Sequence, residues 1–387
     1  MRSSQPAHRA RAFLFLAVGV FAGASRGLLG VCGPFTDVAA DAFCPFVLEI
    51  FYLGITTGTT ATTYDPMGNV TRLQMAAFLS RTVDGVARRG GRRAALARFW
   101  SPQNETVLGV TTLAAFTNFP ASDGLNVWVP NGSSLVSKVS AVDSKVLETW
   151  SGATNASSAL SAIGKIFVTG NGSPGSLYQI DPRDAPGPVT TVANNLGNFP
   201  FELAFDGARI WTANGGPPAS VSIVTPGASI PWTVTTVASG FSSPRGVLFD
   251  GTSVWVTDSG LLLKLDSSGT ILQTVTVGAI PLLPVFDGAN IWVPNFGAGS
   301  VSVVRGATGA VLATLTGNGL AGPQQAAFDG ERVLVTDFSG DRVSLFKAAD
   351  LSPIGFVSMG AASSPQGACS DGVNFWITFR VSQLARF

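Results

Sequence analysis

The sequence is poor in the residues that carry most enzyme chemistry. Its 387 residues include one histidine, three cysteines and only 12% charged residues. The histidine, His8, lies in a stretch that we expect to be removed on export. Cleavage there would exclude imidazole as a general base, metal ligand or proton shuttle of the mature chain. Since nucleophile–base pairs, phosphate loops and metal-spaced clusters are also missing from the sequence, no catalytic residue is assigned.

An excess of charge of one sign is missing as well, because the net charge is +1. Nucleic acid and anionic membranes are therefore not indicated as partners. The apolar run Phe13–Phe21 is short for a membrane span, although an uncleaved anchor is the alternative. Arginines before this run and the small residues Ala22–Ala24 after it predict a signal peptide over residues 1–24. We therefore expect a protein that is secreted or held at the cell surface or cell envelope.

Export determines what is expected of the cysteines. Cys32 and Cys44 are close in sequence, and an oxidising compartment predicts a disulfide between them. Cys369 is then left over on a predicted inner strand, which favours a buried and unreactive thiol.

The dominant feature of the sequence is a phrase repeated about every forty residues. It consists of Asp-Gly, two variable residues, an apolar–aromatic–apolar triplet and a closing Asn or Asp. Full copies begin at Asp123, Asp206, Asp250, Asp287, Asp329 and Asp371, and a weaker copy surrounds Gly164. The repeat glycines are 37 to 44 residues apart. Such a period of short β segments predicts a mainly β fold, a seven-bladed β-propeller of four-stranded blades over residues 100–387.

The phrase also predicts the order of strands inside a blade. A proline recurs six residues before the Asp, where a strand should begin because proline cannot donate to a sheet ladder; these residues are Pro200, Pro244, Pro281, Pro323 and Pro365. Asp-Gly is expected to supply the positive φ of a two-residue hairpin. The chain ends one strand short of a full blade, and Thr106–Thr111 resembles a fourth strand. We therefore expect this N-terminal segment to complete the last blade and close the ring.

The residues before the repeats form a unit of another kind. Apolar residues follow a helical period over Phe43–Leu53 and again over Arg72–Val83, with Thr71 as a candidate N-cap. The sequence pieces that carry a family resemblance are Phe35–Val38, Leu53–Thr56 with Gly58, Tyr64–Pro66 and Val70–Ala76. They resemble an S-layer homology (SLH) domain, which we place at residues 25–84. An Arg/Gly-rich linker is predicted over residues 85–99.

This resemblance implies a partner, because SLH domains typically dock secreted proteins onto cell-wall polysaccharide. Thr71 and Arg72 align with the wall-contacting Thr-Arg-Ala-Glu motif of the family and are the candidate wall-binding residues. The sequence departs from the family in having Gln74 at the acidic position and a single copy where three usually cooperate. The alternative is a purely structural cap.

Two groups of polar residues are candidates for ligand binding at the axial face of the propeller. The first group follows the recurring proline on otherwise apolar strands: Glu202, Arg245, Gln324, Gln325 and Gln366. The second group closes the phrase: Asn131, Asn171, Asn214, Asp258, Asn295 and Asp337. For the second group, local capping of turns is the alternative. The recurrent aromatic residue is interpreted as packing between blades, and the Asp of Asp-Gly as turn chemistry.

The repeats over residues 100–387 resemble the NHL-repeat, quinoprotein-like and streptogramin-lyase-like propellers. That group includes lyases, lactonases and pure binding scaffolds. Streptogramin lyases rely on a histidine. Lactonase relatives place Glu, Asn and Asp around a divalent cation, and Glu202, Asn214 and Asp258 would match that set only if they converge.

The combined prediction is an exported, envelope-associated protein. Its SLH-like unit would tether a non-catalytic propeller that binds a small molecule, glycan or protein at the axial face. No cofactor is expected, with a divalent cation such as calcium left open. The alternative is a metal-dependent hydrolase or lyase acting at the mouth of the central channel.

Overall fold

The computed structural model describes residues 34–38, 44, 47, 50–51, 56–79, 109–132 and 134–387. The chain divides into two compact units between Arg92 and Arg93, and each is described by itself. The predicted signal peptide, the predicted linker and Cys32 lie outside the described residues. Within the described ranges, no helix is long and apolar enough to cross a membrane.

The described part of the second unit is a seven-bladed β-propeller, with each blade an antiparallel sheet of four strands. Blades 1 to 3 are β2 (Ala121–Ser122), β3 (Asn126–Asn131), β4 (Leu135–Ser140) and β5 (Val146–Ser151); β6 (Ala156–Ala162), β7 (Lys165–Gly170), β8 (Gly175–Ile180) and β9 (Thr190–Leu196); and β10 (Pro200–Phe205), β11 (Ile210–Asn214), β12 (Ser220–Thr225) and β13 (Thr233–Val237). Blades 4 to 6 are β14 (Pro244–Phe249), β15 (Val254–Asp258), β16 (Leu261–Leu265) and β17 (Ile271–Thr276); β18 (Val285–Phe286), β19 (Asn290–Asn295), β20 (Ser300–Arg305) and β21 (Val311–Leu315); and β22 (Pro323–Phe328), β23 (Arg332–Asp337), β24 (Arg342–Lys347) and β25 (Pro353–Ser358). Blade 7 is β26 (Pro365–Ser370), β27 (Phe375–Phe379) and β28 (Gln383–Arg386), with β1 (Gly109–Thr112) as its outer strand.

The ring is closed by the two ends of this unit, as the sequence predicted. Strand β1 pairs antiparallel with β28 from Gly109 opposite Arg386 to Thr112 opposite Gln383. The backbone N–H of Leu113 adds a hydrogen bond of 2.8 Å to the carbonyl of Ser382. A shared last blade leaves no seam between the first and last repeats.

The predicted two-residue hairpin is wrong for the Asp-Gly copies, because each of those loops contains four residues. In blade 3, Phe205 pairs with Ile210, so the loop runs from Asp206 to Arg209. One oxygen of the Asp206 carboxylate accepts the N–H groups of Ala208 at 2.9 Å and Arg209 at 2.6 Å. The positive φ was predicted correctly, since φ of Gly207 is 94°. An Asx-type turn therefore replaces the expected two-residue turn.

Between its first and second strands, blade 2 has the two-residue hairpin that the other blades lack at this place. Ala162 pairs with Lys165, which leaves Ile163 at φ 46° and Gly164 at φ 68° as the only loop residues. Positive φ at both central positions is the type I′ geometry, which favours Asn-Gly. A β-branched residue is sterically disfavoured there.

Replacing Ile163 by asparagine should therefore raise the free energy of unfolding by about 1 kcal/mol. The side chain is 57% exposed, so little packing is lost. Urea unfolding monitored by tryptophan fluorescence measures the effect. Leu125→Asn is the matched control, because Leu125 is 74% exposed and follows, rather than precedes, the loop glycine. An equal gain in the control would show that the backbone conformation of Ile163 is not the cause.

A link between Asp and Trp joins the turn to the core in five blades. Each tryptophan is fully buried and donates its indole N–H to the second carboxylate oxygen of the Asp five residues earlier, at 2.7 to 2.8 Å. The pairs are Asp123–Trp128, Asp206–Trp211, Asp250–Trp255, Asp287–Trp292 and Asp371–Trp376. Blade 2 lacks both partners, with Phe167 at the aromatic position. Blade 6 has Leu334 there, and its Asp329 accepts from the Arg332 guanidinium instead. The Asp is thus a turn residue, as predicted, and also a partner of the core.

The hydrophobic core lies between neighbouring sheets. Trp211 of blade 3 packs with Val247, Val256 and Leu263 of blade 4, and Trp255 of blade 4 packs in the same way against blade 5. Burying a ring of roughly 150–250 Å² contributes on the order of 4–6 kcal/mol. The prediction that the recurrent aromatic residue packs between blades is confirmed.

Two of the three cysteines lie in the described part of the chain. Cys44 is disulfide-bonded, whereas its predicted partner, Cys32, lies outside the described residues. Cys369 is a free thiol on β26, and burial raises its pKa. Cys369 is partly rather than fully buried, and a protonated thiol is a poor nucleophile.

The residues that carry the SLH resemblance also hold the first unit together. Phe35 is 1% exposed and contacts the edge of Phe51 at a ring distance of 5.1 Å. The Asp37 carboxylate accepts the backbone N–H groups of Tyr64 and Asp65, which lowers its pKa. Gly58 has φ 78°, and a Cβ atom there would lie 2.4 Å from the Phe35 ring.

The helix over residues 72–79 begins with a capping box. The hydroxyl oxygen of Thr71 accepts the N–H of Gln74 at 3.2 Å, and the side-chain oxygen of Gln74 accepts the N–H of Thr71 at 2.8 Å. Thr71 is therefore the N-cap, as predicted. Glutamine closes the reciprocal bond as glutamate would, so the departure from the family at this position leaves the helix start intact.

Candidate functional site

The first strands of the blades share a local irregularity that frees one residue from the ladder. In β10, β14, β22 and β26 the pairing register breaks just after the initial proline. In blade 4 the hydroxyl of Thr257 on the second strand accepts the N–H of Gly246 at 2.7 Å and so replaces a backbone partner. First strands of neighbouring blades contact each other around the axis, so these irregularities form a ring.

The residue directly after the proline position lines one cavity in five blades. The lining residues from this position are Asn118, Arg245, Leu282, Gln324 and Gln366, of blades 1, 4, 5, 6 and 7. The cavity has a volume of about 400 Å³, within the usual range for small-molecule sites. Since five blades contribute the same strand position, the cavity lies at the mouth of the axial channel. We call it the mouth cavity.

The rest of the lining comes from loops on the same face. Phe296, Phe338 and Arg380 each directly follow the closing residue of a second strand, and Phe116 and Ile280 precede first strands. Phe116 and Ile280 are 47% and 54% exposed. The mouth cavity therefore combines two arginines, three carboxamides and an apolar rim, and its lining contains no carboxylate.

Arg245 is the most constrained cation of the mouth cavity. Its guanidinium carbon lies 4.2 Å from the centre of the Phe201 ring of blade 3. Burial lowers the pKa of the guanidinium, which nevertheless stays protonated at neutral pH. Among the described residues, neither Arg245 nor Arg380 forms an ion pair. A half-buried guanidinium held on an aromatic face presents its N–H groups for an anion.

The carboxamide groups of the mouth cavity form only some of their possible hydrogen bonds within the protein. Gln366 donates to the side-chain oxygen of Asn118 at a long 3.4 Å, and Asn118 donates to the carbonyl of Ala156 at 2.7 Å. The side-chain oxygen of Gln324 is buried and has no hydrogen-bond partner within the described part of the chain. A buried carbonyl oxygen without a donor is costly, so turning this amide oxygen towards a donor in the mouth cavity would be stabilising.

Glu202, a predicted ligand contact, does not line the mouth cavity. It stands two residues after the proline, and its carboxylate accepts the backbone N–H of Val247 in the next blade at 2.8 Å. Burial raises the pKa of this carboxyl group well above its usual range. Gln325 holds the same place in blade 6, where its side-chain oxygen accepts the N–H of Ala368 in blade 7 at 2.8 Å. Both residues connect blades.

Four of the other blades form the same contact between blades with different residue pairs. A Cβ atom on Gly246 would lie 2.4 Å from Pro284 of the next blade, and one on Gly367 would lie 2.6 Å from Pro120. In both cases the next blade has a proline, which has no N–H to be satisfied. In blades 1 and 5 the backbone carbonyls of Phe119 and Leu283 accept the N–H of the next blade at 3.0 and 3.1 Å. The residue two positions after the proline position therefore either provides an acceptor for the N–H of the next blade or faces a proline that has no N–H. Glu202 and Gln325 have this structural role.

The residues that close the phrase are buried caps, in agreement with the alternative of local capping. Asn131, Asn214, Asp258, Asn295 and Asp337 are 0 to 2% exposed, and none lines the mouth cavity. The asparagines donate to serines of the next strand of their own blade: Asn131 to Ser137, Asn214 to Ser220 and Ser222, and Asn295 to Ser300 and Ser302. The aspartates accept backbone N–H groups: Asp258 from Ser242 and Ser243, and Asp337 from Ala321, Gly322 and Gly340. Asn171 is only partly buried.

The set that a lactonase-like metal site needs is not brought together. Glu202 bonds to the next blade, Asn214 to serines of its own blade and Asp258 to the loop before its own blade. Within the described ranges, no group of three or more His, Cys, Asp and Glu side chains is placed to hold a metal ion.

Sequence reasoning thus found Arg245, Gln324 and Gln366 and missed the other lining residues. Asn118 had a usable signal, because it stands five residues before Asp123, as Arg245 does before Asp250. Phe296, Phe338 and Arg380 had another, because each directly follows the residue that closes a second strand. The missing proline in blade 1 hid the first signal.

The first unit contains a smaller cavity of about 310 Å³. Gly58, Tyr64, Asp65, Asn69 and Gln74 are among its lining residues. Thr71 and Arg72, the candidate wall-binding residues, are exposed beside it but do not line it.

The comparisons with known proteins concern the two units separately. Residues 34–76 match the S-layer homology domain family. This part of the chain is an S-layer homology domain. It indicates a cell-surface or envelope-associated protein, since such domains generally bind cell-envelope polymers. No curated protein matches the chain.

Solved propellers resemble the second unit in fold. Virginiamycin B lyase from Staphylococcus aureus is 14% identical with a TM-score of 0.59, covering 72% of this chain and 97% of its own. A streptogramin B lyase is 13% identical with a TM-score of 0.60, covering 72% and 96%. The WD40 propeller domain of Doa1 is 12% identical with a TM-score of 0.61, covering 73% and 96%. At these identities the likeness shows the fold alone.

Proposed function

We propose that this protein is an envelope-anchored binding protein. Its S-layer homology domain attaches the chain to an envelope polysaccharide, and its propeller holds a ligand in the mouth cavity. The observation that carries the binding role is the mouth cavity itself, in which one strand position from five blades converges around a guanidinium that has no ion-pair partner in the described part of the chain.

The chemistry of the lining supports binding rather than catalysis. Arginine, carboxamide, phenylalanine and aliphatic side chains make up the lining. These groups recognise and orient a ligand, whereas proton transfer at neutral pH uses carboxyl, imidazole, thiol or amine groups. The buried carboxylates of Glu202, Asp258 and Asp337 are held in hydrogen bonds that connect or cap blades.

The anchoring half of the proposal has a direct test. Arg72 is exposed at the first turn of the helix over residues 72–79, where its charge is available to an anionic polymer. We expect the full chain to co-sediment saturably with purified envelope polysaccharide at low salt. Arg72→Ala should weaken this binding about tenfold, the size of one lost charge-assisted contact.

Arg305→Ala is the matched control, since it removes an exposed arginine from the propeller. Its binding should equal that of the unchanged protein. Absence of saturable binding at low salt would overturn the anchoring role. Equal weakening by both substitutions would instead reduce it to non-specific charge attraction.

A further inference from the structure

The mouth cavity has features that restrict the class of its ligand. Arg245 and Arg380 place two positive charges in a lining without a carboxylate. A guanidinium offers parallel N–H groups that match a carboxylate or phosphate group. The contact of the Arg245 guanidinium with the Phe201 ring restricts the position of that fork. A neutral or cationic ligand would leave the half-buried charge of Arg245 uncompensated.

The carboxamides indicate hydroxyl groups on the same ligand. Amides both donate and accept, and hydroxyl groups complement them in both roles. The buried side-chain oxygen of Gln324, which no described group approaches as a donor, needs an O–H or N–H. Gln366 and Asn118, joined by a bond of 3.4 Å, can exchange that weak contact for shorter ones to a ligand.

The apolar side of the lining indicates a ring. Phe116, Phe296 and Phe338 border the mouth cavity together with Ile280 and Leu282. A saturated ring that carries hydroxyl groups at its edge still presents C–H groups on its faces, and burying these against aromatic side chains is favourable. The cavity of about 400 Å³ suits a ligand of one or two rings.

We infer that the mouth cavity binds an anionic monosaccharide unit, with its acidic group on Arg245 and Arg380 and its hydroxyl groups on Gln324, Gln366 and Asn118. The inference rests on the proposed binding role of the mouth cavity. The acidic group is a carboxylate or a phosphate, as in a uronic acid or a sugar phosphate.

Isothermal titration calorimetry of the full chain with glucuronate, glucose 6-phosphate, glucose and acetate tests the inference. Saturable binding of glucuronate or of glucose 6-phosphate is expected, and the tighter of the two identifies the acidic group. Glucose and acetate should each bind at least tenfold more weakly, because each supplies only half of the contacts. Arg245→Met should weaken the acidic sugar at least tenfold, and Gln324→Leu severalfold.

Arg305→Met is the control for charge, and its affinity should be unchanged. Binding of glucose as tightly as the acidic sugars, lost in Leu282→Trp, would keep the mouth as a binding site and overturn its anionic class. Binding of acetate as tightly as glucuronate would overturn the saccharide. Absence of binding by all four probes would overturn the inference, while the anchoring test with polysaccharide and Arg72→Ala stands separately.

Discussion

Replacing Asp287 by alanine should lower the free energy of unfolding by about 2–4 kcal/mol. The carboxylate accepts four hydrogen bonds: from the backbone N–H groups of Ala289 and Asn290 at 2.8 and 2.7 Å, from the Asn290 amide at 3.2 Å, and from the Trp292 indole at 2.7 Å. Trp292 is fully buried, and its indole N–H loses its acceptor within the protein in this variant. Urea unfolding followed by tryptophan fluorescence measures the loss.

A double-mutant cycle with Trp292→Phe separates the indole bond from the turn. Phenylalanine has no N–H to leave unsatisfied, so Asp287→Ala should cost less in that background by about 1–3 kcal/mol. Blade 2 contains the natural counterpart, with Phe167 and no Asp in its turn. Additive losses in the two backgrounds would contradict a coupling through the indole. Asp266→Ala serves as the control, because Asp266 accepts only groups of its own exposed loop, and a smaller loss is expected there.

The fold was largely predictable because the repeated residues mark where strands begin and where the chain turns. Proline marks the start of the first strand in four blades at Pro200, Pro244, Pro323 and Pro365. Closure could be predicted because the chain ended one strand short of a blade and a matching segment stood before the first repeat.

The turn was harder to predict because Asp-Gly occurs in more than one loop type. A two-residue loop needs positive φ at both positions, whereas here only the glycine adopts it, as at Gly207. The distinguishing signal is the distance from glycine to the aromatic residue. It is four residues from Gly124 to Trp128 but three from Gly164 to Phe167. The shorter spacing produces the two-residue loop.

The site was only half predictable because neighbouring polar residues on one strand serve different purposes. Gln324 lines the mouth cavity, whereas Gln325 bonds to the next blade. In sequence they are adjacent and identical. The register break after the proline separates them, and that break depends on a threonine hydroxyl of the second strand, here Thr336 accepting the N–H of Gln325 at 3.1 Å. Such a contact between strands has no signature within the first strand itself.

The same reasoning applies to Glu202, whose replacement by glutamine should stabilise the protein increasingly as pH rises. Burial raises the pKa of this carboxyl group in the folded state well above its reference value of 4.5. Between that value and the raised pKa, the unfolded chain loses its proton while the folded chain keeps it. The free energy of unfolding of the unchanged protein therefore falls through this window, by up to about 1.4 kcal/mol per pH unit.

Glutamine removes this dependence without removing the acceptor, as Gln325 demonstrates with its bond of 2.8 Å to Ala368. The difference in free energy of unfolding between Glu202→Gln and the unchanged protein should open near pH 4.5 and level off above the raised pKa. Urea unfolding from pH 4 to pH 9 measures it. Glu331→Gln, at an exposed turn position, is the control for the loss of one carboxylate. Glu202→Leu should destabilise at every pH because the N–H of Val247 loses its acceptor. Parallel profiles for Glu202→Gln and the unchanged protein would contradict the burial of a protonated carboxyl between blades 3 and 4.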